Sequence, residues 1–170
     1  ADLVTIKSIA EKYELKIIED ASHSLGSSYV HGENEYFCGD SVHSDICTYS
    51  FHPVKHITTG EGGALLTNDF EIYQKANLLR KHGVDRRDEM FSESERIGSW
   101  IYDMEDLGFN YRMTDFQAAL GSGQMQRYDI NLARRRKNAK LYEKFLKNND
   151  LLSFIRYSNN HSYFLFQIIL

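Results

Sequence analysis

The stretch DICTYSFHPVKHITTGEGGALLT, Asp45–Thr67, decides how the chain folds. Asp45 to Phe51 reads as a strand, and Ala64-Leu65-Leu66-Thr67 reads as a second one. Between them lies a loop holding the only proline, Pro53, and the glycine pair 62–63. Upstream, Lys16-Ile17-Ile18 is a short apolar strand with Glu19 and Asp20 at its carboxyl end. Before it, Leu3, Ile6, Ile9, Ala10 and Tyr13 recur at helical spacing. Residues 21–43 are rich in Ser, Gly and Asn and read as loop with a helical turn. Strands alternating with helices predict an α/β fold with a largely parallel sheet. Ligands of such sheets gather at the carboxyl ends of strands, which draws Asp20 and the loop after Phe51 together.

Downstream, Asn68 or Asp69 suits a helix cap, and Ile72, Ala76 and Leu79 suit the buried face that follows. Lys81 and His82 complement the negative end of that helix, and Gly83 can close it in the left-handed region. Residues 84–108 form a long charged connection. Thr114-Asp115-Phe116-Gln117 predicts a capping box. Gly121 and Gly123 in the helix it starts predict close packing or a break. A further helix carries Leu132, Ala139, Tyr142, Phe145 and Leu146 on one side and ends at Asn148-Asn149-Asp150. Tyr163 to Phe166 and Ile168 to Leu170 read as a new strand.

Composition narrows the function classes. At 42% hydrophobic and 26% charged residues, the 170-residue chain reads as globular, with no apolar run long enough to cross a bilayer. A net charge of -4 argues against nucleic acid as partner. The run Arg134-Arg135-Arg136-Lys137 reads as a solvated or interface face of a helix. Cys38 and Cys47 lack metal-type spacing and suit reduced, partly buried thiols of a cytoplasmic protein. His52 and His56 are four apart, but Pro53 interrupts a helix there and a third ligand is not evident, so no metal is expected. The chain opens without methionine, inside a helical pattern, and is expected to be a fragment.

Three segments carry the chemistry: Glu19 to Gly26, Ser50 to Lys55, and Thr58 to Gly63. An acid at a strand end and a lysine in a Gly/Thr-rich loop suit pyridoxal 5'-phosphate. That cofactor needs an amine for a Schiff base. It needs an anion to keep its ring nitrogen protonated, and hydroxyl and N–H donors for its phosphate. Lys55, Asp20 and Ser50 can supply these roles. Read alone, Asp20 also suits a cap of the next turn, Ser50 a strand-end hydroxyl, His23 a hydrogen-bonded core histidine, and Asn110 a turn residue after Gly108.

The combination of Glu19-Asp20-Ala21, Ser50-Phe51-His52-x-x-Lys55 and Thr59-x-Glu61-Gly62-Gly63 closely resembles the DegT/DnrJ/EryC1/StrS family of nucleotide-sugar aminotransferases. Gly108-Phe109-Asn110-Tyr111-Arg112-Met113 and Gln117-Ala118-Ala119-Leu120-Gly121 extend the resemblance, which runs from about Val4 to Leu146. It implies a fold-type I large domain, a mixed, mostly parallel sheet flanked by helices and truncated at both ends. Residues 1–148 would be part of that domain and 149–170 the start of the small C-terminal one. Lys55 would be the Schiff-base lysine and proton shuttle. Asp20 would pair with the ring nitrogen, His23 would lie beside the ring hydroxyl oxygen, and Ser50 would bind phosphate. Asn110 would reach the phosphate in a partner subunit, which implies a homodimer. The substrates implied are glutamate, with 2-oxoglutarate as its product, and a nucleotide-linked keto sugar. Gly98-Ser99-Trp100 and Glu105 to Phe109 resemble the enzymes that aminate C4 of a UDP-linked 4-keto-6-deoxy sugar in pseudaminic acid synthesis.

Two departures stand beside the resemblance. The family's long N-terminal segment and most of its small domain lack counterparts here, so the isolated chain is expected to lack parts of a site. Phe164 stands where the family often has His. Sugar dehydratases of the same family carry His in place of the lysine, and Lys55 argues against that alternative. A non-catalytic fragment that keeps the fold is the other reading.

Overall fold

The computed structural model describes residues 1–85, 102–155 and 157–170. In chain order the elements begin with α1 (Leu3–Lys12), β1 (Ile18–Asp20), β2 (Ser28–His31), β3 (Asn34–Phe37), β4 (Ile46–Ser50) and β5 (Gly63–Leu66). They continue with α2 (Phe70–Leu79), β6 (Val84–Asp85), β7 (Asp103–Met104), α3 (Asp115–Met125), α4 (Tyr128–Leu146), β8 (Ser153–Phe154) and β9 (Ile168–Ile169). These residues divide into two compact units, Ala1–Asn68 with Thr114–Leu170, and Asp69–Met113.

The first unit is organised by a three-stranded sheet in the order β1-β4-β5. The β1–β4 pairing is parallel, with Asp20 opposite Thr48. The β4–β5 pairing is antiparallel, with Ser50 opposite Gly63. The expected α/β class holds, and the sheet is mixed. Its antiparallel half follows from the connection: β5 returns from β4 through a loop, with no helix to carry the chain back for a parallel pairing. Asp45 fixes the other end of the sheet. Its carboxylate accepts from the Ile17 N–H at 2.8 Å and the Lys16 ammonium at 3.0 Å. The Ile17 hydrogen bond and then the lysine hold that carboxyl below the usual carboxylate range.

Residues 21–43 hold more structure than their composition predicts. β2 and β3 form an antiparallel hairpin turned by Gly32 and Glu33, with Gly32 at a φ of 60°. Tyr29 and Tyr36 are directly opposed in it and stack at 5.6 Å. His43 closes this aromatic group through Nδ1, 2.7 Å from the Tyr29 hydroxyl.

The helix signals fare unevenly. Thr114 and Gln117 form the predicted capping box, and Asp69 caps α2. Gly83 takes a φ of 67° after α2. Gly121 packs so tightly that an added Cβ would lie 2.8 Å from Thr59 Cγ2, whereas Gly123 faces open space and α3 runs on through both. On α1 only Ala10 of the apolar stripe is buried. On α4 Ala139 is buried, but Tyr142 and Phe145 are 52% and 74% exposed, against expectation. The least exposed row of α4 instead runs Leu132, Arg135, Arg136, Ala139, with only Ala139 fully buried, a three-four-seven spacing that turns two arginines inward. The tail differs too. β9 pairs with β8, but Tyr163 has a φ of 51°, incompatible with an extended strand across 163–166.

Gly26 sits where the tail, the β1 turn and α4 converge. Its φ is 77°, and a Cβ there would overlap the Tyr128 hydroxyl and meet Leu132 Cδ2 at 2.9 Å. Gly26→Ala is therefore expected to lower unfolding free energy by about 2 kcal/mol or more, combining left-handed strain with overpacking. Urea titration of the purified protein checks this, and an unchanged midpoint would contradict the packing described.

Candidate functional site

The site grows from the carboxyl ends of β1 and β4. Asp20 ends β1, and its Oδ1 accepts the Ser22 N–H at 3.0 Å. The turn-capping role read from the sequence is thus real, and it serves the site. The Ser22 hydrogen bonds, and then the charges of His23 and Lys55, hold the Asp20 carboxyl below its usual range. Asp20 remains exposed, so its carboxylate is ionised and available.

The lysine loop is closed on itself. Phe51 O accepts from the Thr59 N–H and the Thr58 hydroxyl, both at 3.0 Å. The Phe51 N–H donates to Gly62 O at 2.8 Å, and the Thr59 hydroxyl donates to Glu61 O at 2.8 Å. Gln117, the residue that completes the cap of α3, also donates through Nε2 to Glu61 O at 3.0 Å. The Lys55 N–H is tied to His52 O at 2.9 Å. Within this frame Lys55 is half-buried. Its Nζ lies 4.9 Å from the centroid of the Phe164 ring. Ser50 ends β4 and accepts the His52 N–H at 3.4 Å.

His23 stacks on the same Phe164 ring, with centroids 4.1 Å apart and planes 23° from parallel. Phe164 is brought there by the tail. Arg135 Nη1 donates to Tyr163 O and Phe164 O, both at 3.4 Å. Arg136 donates to His161 O at 3.2 Å, Asn160 O at 3.3 Å and Gly26 O at 3.1 Å. The basic run read as a solvated or interface face is therefore half structural, through Arg135 and Arg136. Ser162 is fully buried and exchanges hydrogen bonds with Ser27, both 2.9 Å, and its hydroxyl reaches His23 O at 3.3 Å.

Asp20, His23 and Lys55 are thus brought together, with Ser50 at the head of the same loop. Asn110 belongs to the second unit, where it bridges to Lys81 and its Oδ1 accepts from Arg112 at 3.5 Å. An open groove of about 1200 Å³, lined by Tyr73, Lys81, His82 and Arg112 among others, also belongs to that unit and shares no residue with the Lys55 cluster. Gly98, Ser99 and Trp100 lie outside the described residues. Among the described residues no group of His, Cys, Asp and Glu could hold a metal ion.

Phe164, His56, Ser162, Arg135 and Arg136 were not read as site residues from sequence. The spacing of the two arginines between Leu132 and Ala139 was the signal available for them. The others answer to contacts made far along the chain. The residue set fits pyridoxal phosphate: a carboxylate kept ionised, an amine and an imidazole at electrostatic range of it, and a hydroxyl at the strand end.

His56 is buried, and burial first, then Arg135, pushes it down to about 4. Its Nε2 meets Ser162 O at 3.3 Å, and its Nδ1 has no partner. His161 is also lowered by burial and by Arg136. Both gain a proton on unfolding before they gain one in the fold. The stabilisation from neutral His56 is complete above about pH 6.5 and is lost as pH falls toward 4, at up to about 1.4 kcal/mol per pH unit, and His161 contributes in the same direction. Chemical denaturation between pH 7 and 4 should show that decline. His56→Gln should flatten part of it, and a flat parent profile would contradict the burial of these imidazoles.

The family model described as DegT/DnrJ/EryC1/StrS aminotransferase family matches residues 1–170. A UDP-4-amino-4,6-dideoxy-N-acetyl-beta-L-altrosamine transaminase of Campylobacter jejuni is 40% identical over 153 residues, 89% of this chain and 36% of that relative. The chain thus spans about a third of the length of the curated relatives it matches. Among solved structures, Helicobacter pylori PseC, an aminotransferase of pseudaminic acid biosynthesis, superposes with a TM-score of 0.82 at 29% identity, over 100% of this chain and 42% of that one. Bacillus subtilis NtdA with bound cofactor PMP superposes with a TM-score of 0.74 at 28% identity, over 99% of this chain and 35% of that one.

Proposed function

This chain belongs to the DegT/DnrJ/EryC1/StrS aminotransferase family, and we propose that it serves a pyridoxal-phosphate-dependent transfer of an amino group from glutamate to C4 of a nucleotide-linked 4-keto-6-deoxy sugar. The observation that carries this reading is the electrostatic meeting of Asp20, His23 and Lys55 at the carboxyl ends of two parallel strands. The cofactor supplies a conjugated ring that takes up the electron pair left when a proton leaves the substrate carbon. The chain's own residues do the rest. Lys55 offers the amine that holds the cofactor's aldehyde and, once free, a base at Nζ that moves a proton at the substrate carbon. Asp20, kept anionic by Ser22, holds a proton on the ring nitrogen. His23 would lie beside the ring hydroxyl oxygen, and Ser50 would donate to the phosphate. Asn110 would reach that phosphate in a partner subunit, which makes the proposed working unit a homodimer with shared sites.

Support for the sugar comes from the relatives, whose names include UDP-amino-sugar transaminases and GDP-perosamine synthases. A lysine at position 55 favours amination over the dehydratase alternative. We read residues 1–148 as part of the large cofactor-binding domain and 149–170 as the start of the small one. No described helix is long and apolar enough to cross a membrane. Cys38 and Cys47 are free thiols, which suits a reducing cytoplasm.

The full-length protein purified with pyridoxal phosphate should be yellow, and glutamate should shift its visible band. Lys55→Ala should abolish the band and lower amino transfer at least about a hundredfold. A Lys55→Ala variant with an unchanged band would remove Lys55 from this role, and a protein that takes up no cofactor would overturn the function.

A further inference from the structure

We propose that Phe164 is a positioning residue of this site, whose ring seats the Lys55 amine and fixes the plane of the His23 imidazole before any cofactor arrives. The proposal rests on the reading of Lys55 given above. It starts from one ring with two polar neighbours. The Lys55 Nζ is 4.9 Å from the Phe164 centroid, inside the range at which a cation is drawn to an aromatic face. The His23 ring is stacked at 4.1 Å, and the buried His56 ring lies at 5.7 Å. An ordinary core phenylalanine is packed by aliphatic side chains. This ring is only half-buried and touches a lysine and two histidines.

The backbone that presents the ring is over-determined. Tyr163 holds a φ of 51°, unusual for an aromatic residue, and such strain persists only where its surroundings enforce it. Arg135 bonds the carbonyls of Tyr163 and Phe164 themselves. Arg136 bonds those of Asn160 and His161, and the buried Ser162 locks to Ser27 and to His23 O. The strain and the clamps act on Phe164 and the residues just before it, and two of those, Ser162 and Tyr163, are themselves buried.

A lysine stem is flexible, so an amine without a contact samples many positions. The ring narrows that sampling on the side of Asp20 and His23. Its value shows as speed of capture. The Lys55 ammonium first gives a proton to solvent, and its nitrogen then adds to the aldehyde carbon of pyridoxal phosphate while the carbonyl oxygen leaves as water. Borohydride delivers hydride to the carbon, and the nitrogen takes a proton from solvent. The product is a stable secondary amine on Lys55 that peptide mapping can count.

The experiment mixes the cofactor-free full-length protein with pyridoxal 5'-phosphate, quenches with borohydride at timed intervals, and maps the labelled lysine in the parent, Phe164→Leu and Phe164→Tyr. Phe164→Leu should capture about threefold more slowly, the range expected when a weak cation–aromatic contact is lost. Phe164→Tyr, which keeps the ring, should restore the parent rate. In the parent, proton NMR should show the Lys55 ε-methylene and a His23 ring proton shifted upfield and in contact with the Phe164 ring. Equal capture rates, or a parent without those ring-current shifts, would overturn the proposal, and the NMR arm decides even if the leucine variant fails to fold. A parent that acquires no label on Lys55 would instead refute the function on which the proposal rests.

Discussion

The parallel pairing of β1 with β4 is the constraint on which the arrangement depends. With Asp20 opposite Thr48, the carboxyl end of β1 is level with the last residues of β4. The Ala21 N–H closes the ladder on Thr48 O at 2.9 Å. A carboxylate and the loop that bears the lysine therefore leave the sheet at the same edge. A register slip of one residue would turn Asp20 to the opposite face and leave Lys55 without its counter-charge. The grip of Asp45 on Ile17 and Lys16 at the other end secures that register.

Around this edge the chain adds rigidity from two directions. α3 reaches the lysine loop through Gln117, so a residue that completes a helix cap also fixes Glu61 O. α4 reaches the tail through Arg135 and Arg136, and the tail returns Phe164 to Lys55 and His23. Charge-assisted bonds to backbone carbonyls suit this task, because the guanidinium presents several donors in a fixed plane. Asp20 gains its ionised state locally, from Ser22, so the acid of the site is set before distant charges contribute.

The sheet-forming segments and the placing of Asp20 within electrostatic range of Lys55 were legible because short-range signals set them: strand runs bounded by Gly and Pro, and an acid at a strand end. Thr114 and Gln117 were legible for the same reason. The hairpin of 28–37 was not, because its Gly and Asn content outweighs the opposed Tyr29 and Tyr36 when the segment is read linearly. The inward arginines were obscured by composition. Four adjacent basic residues suggest a wet face, whereas helical geometry sends the second and third toward the Leu132 and Ala139 stripe. Phe164 was visible only as a departure from a family pattern, since its contacts lie 109 and 141 positions back along the chain, at Lys55 and His23. The bend at Tyr163, which turns the tail away from a strand, depends on arginine clamps that no local propensity encodes.

In the proposed function one cofactor ring is held between the Lys55 amine and the Asp20 carboxylate. Nitrogen-15 NMR of the holoprotein loaded with ring-labelled pyridoxal 5'-phosphate tests it most directly. A protonated ring nitrogen in the parent and a deprotonated one in Asp20→Asn is the predicted result. A ring nitrogen whose resonance is the same in both proteins would contradict the account.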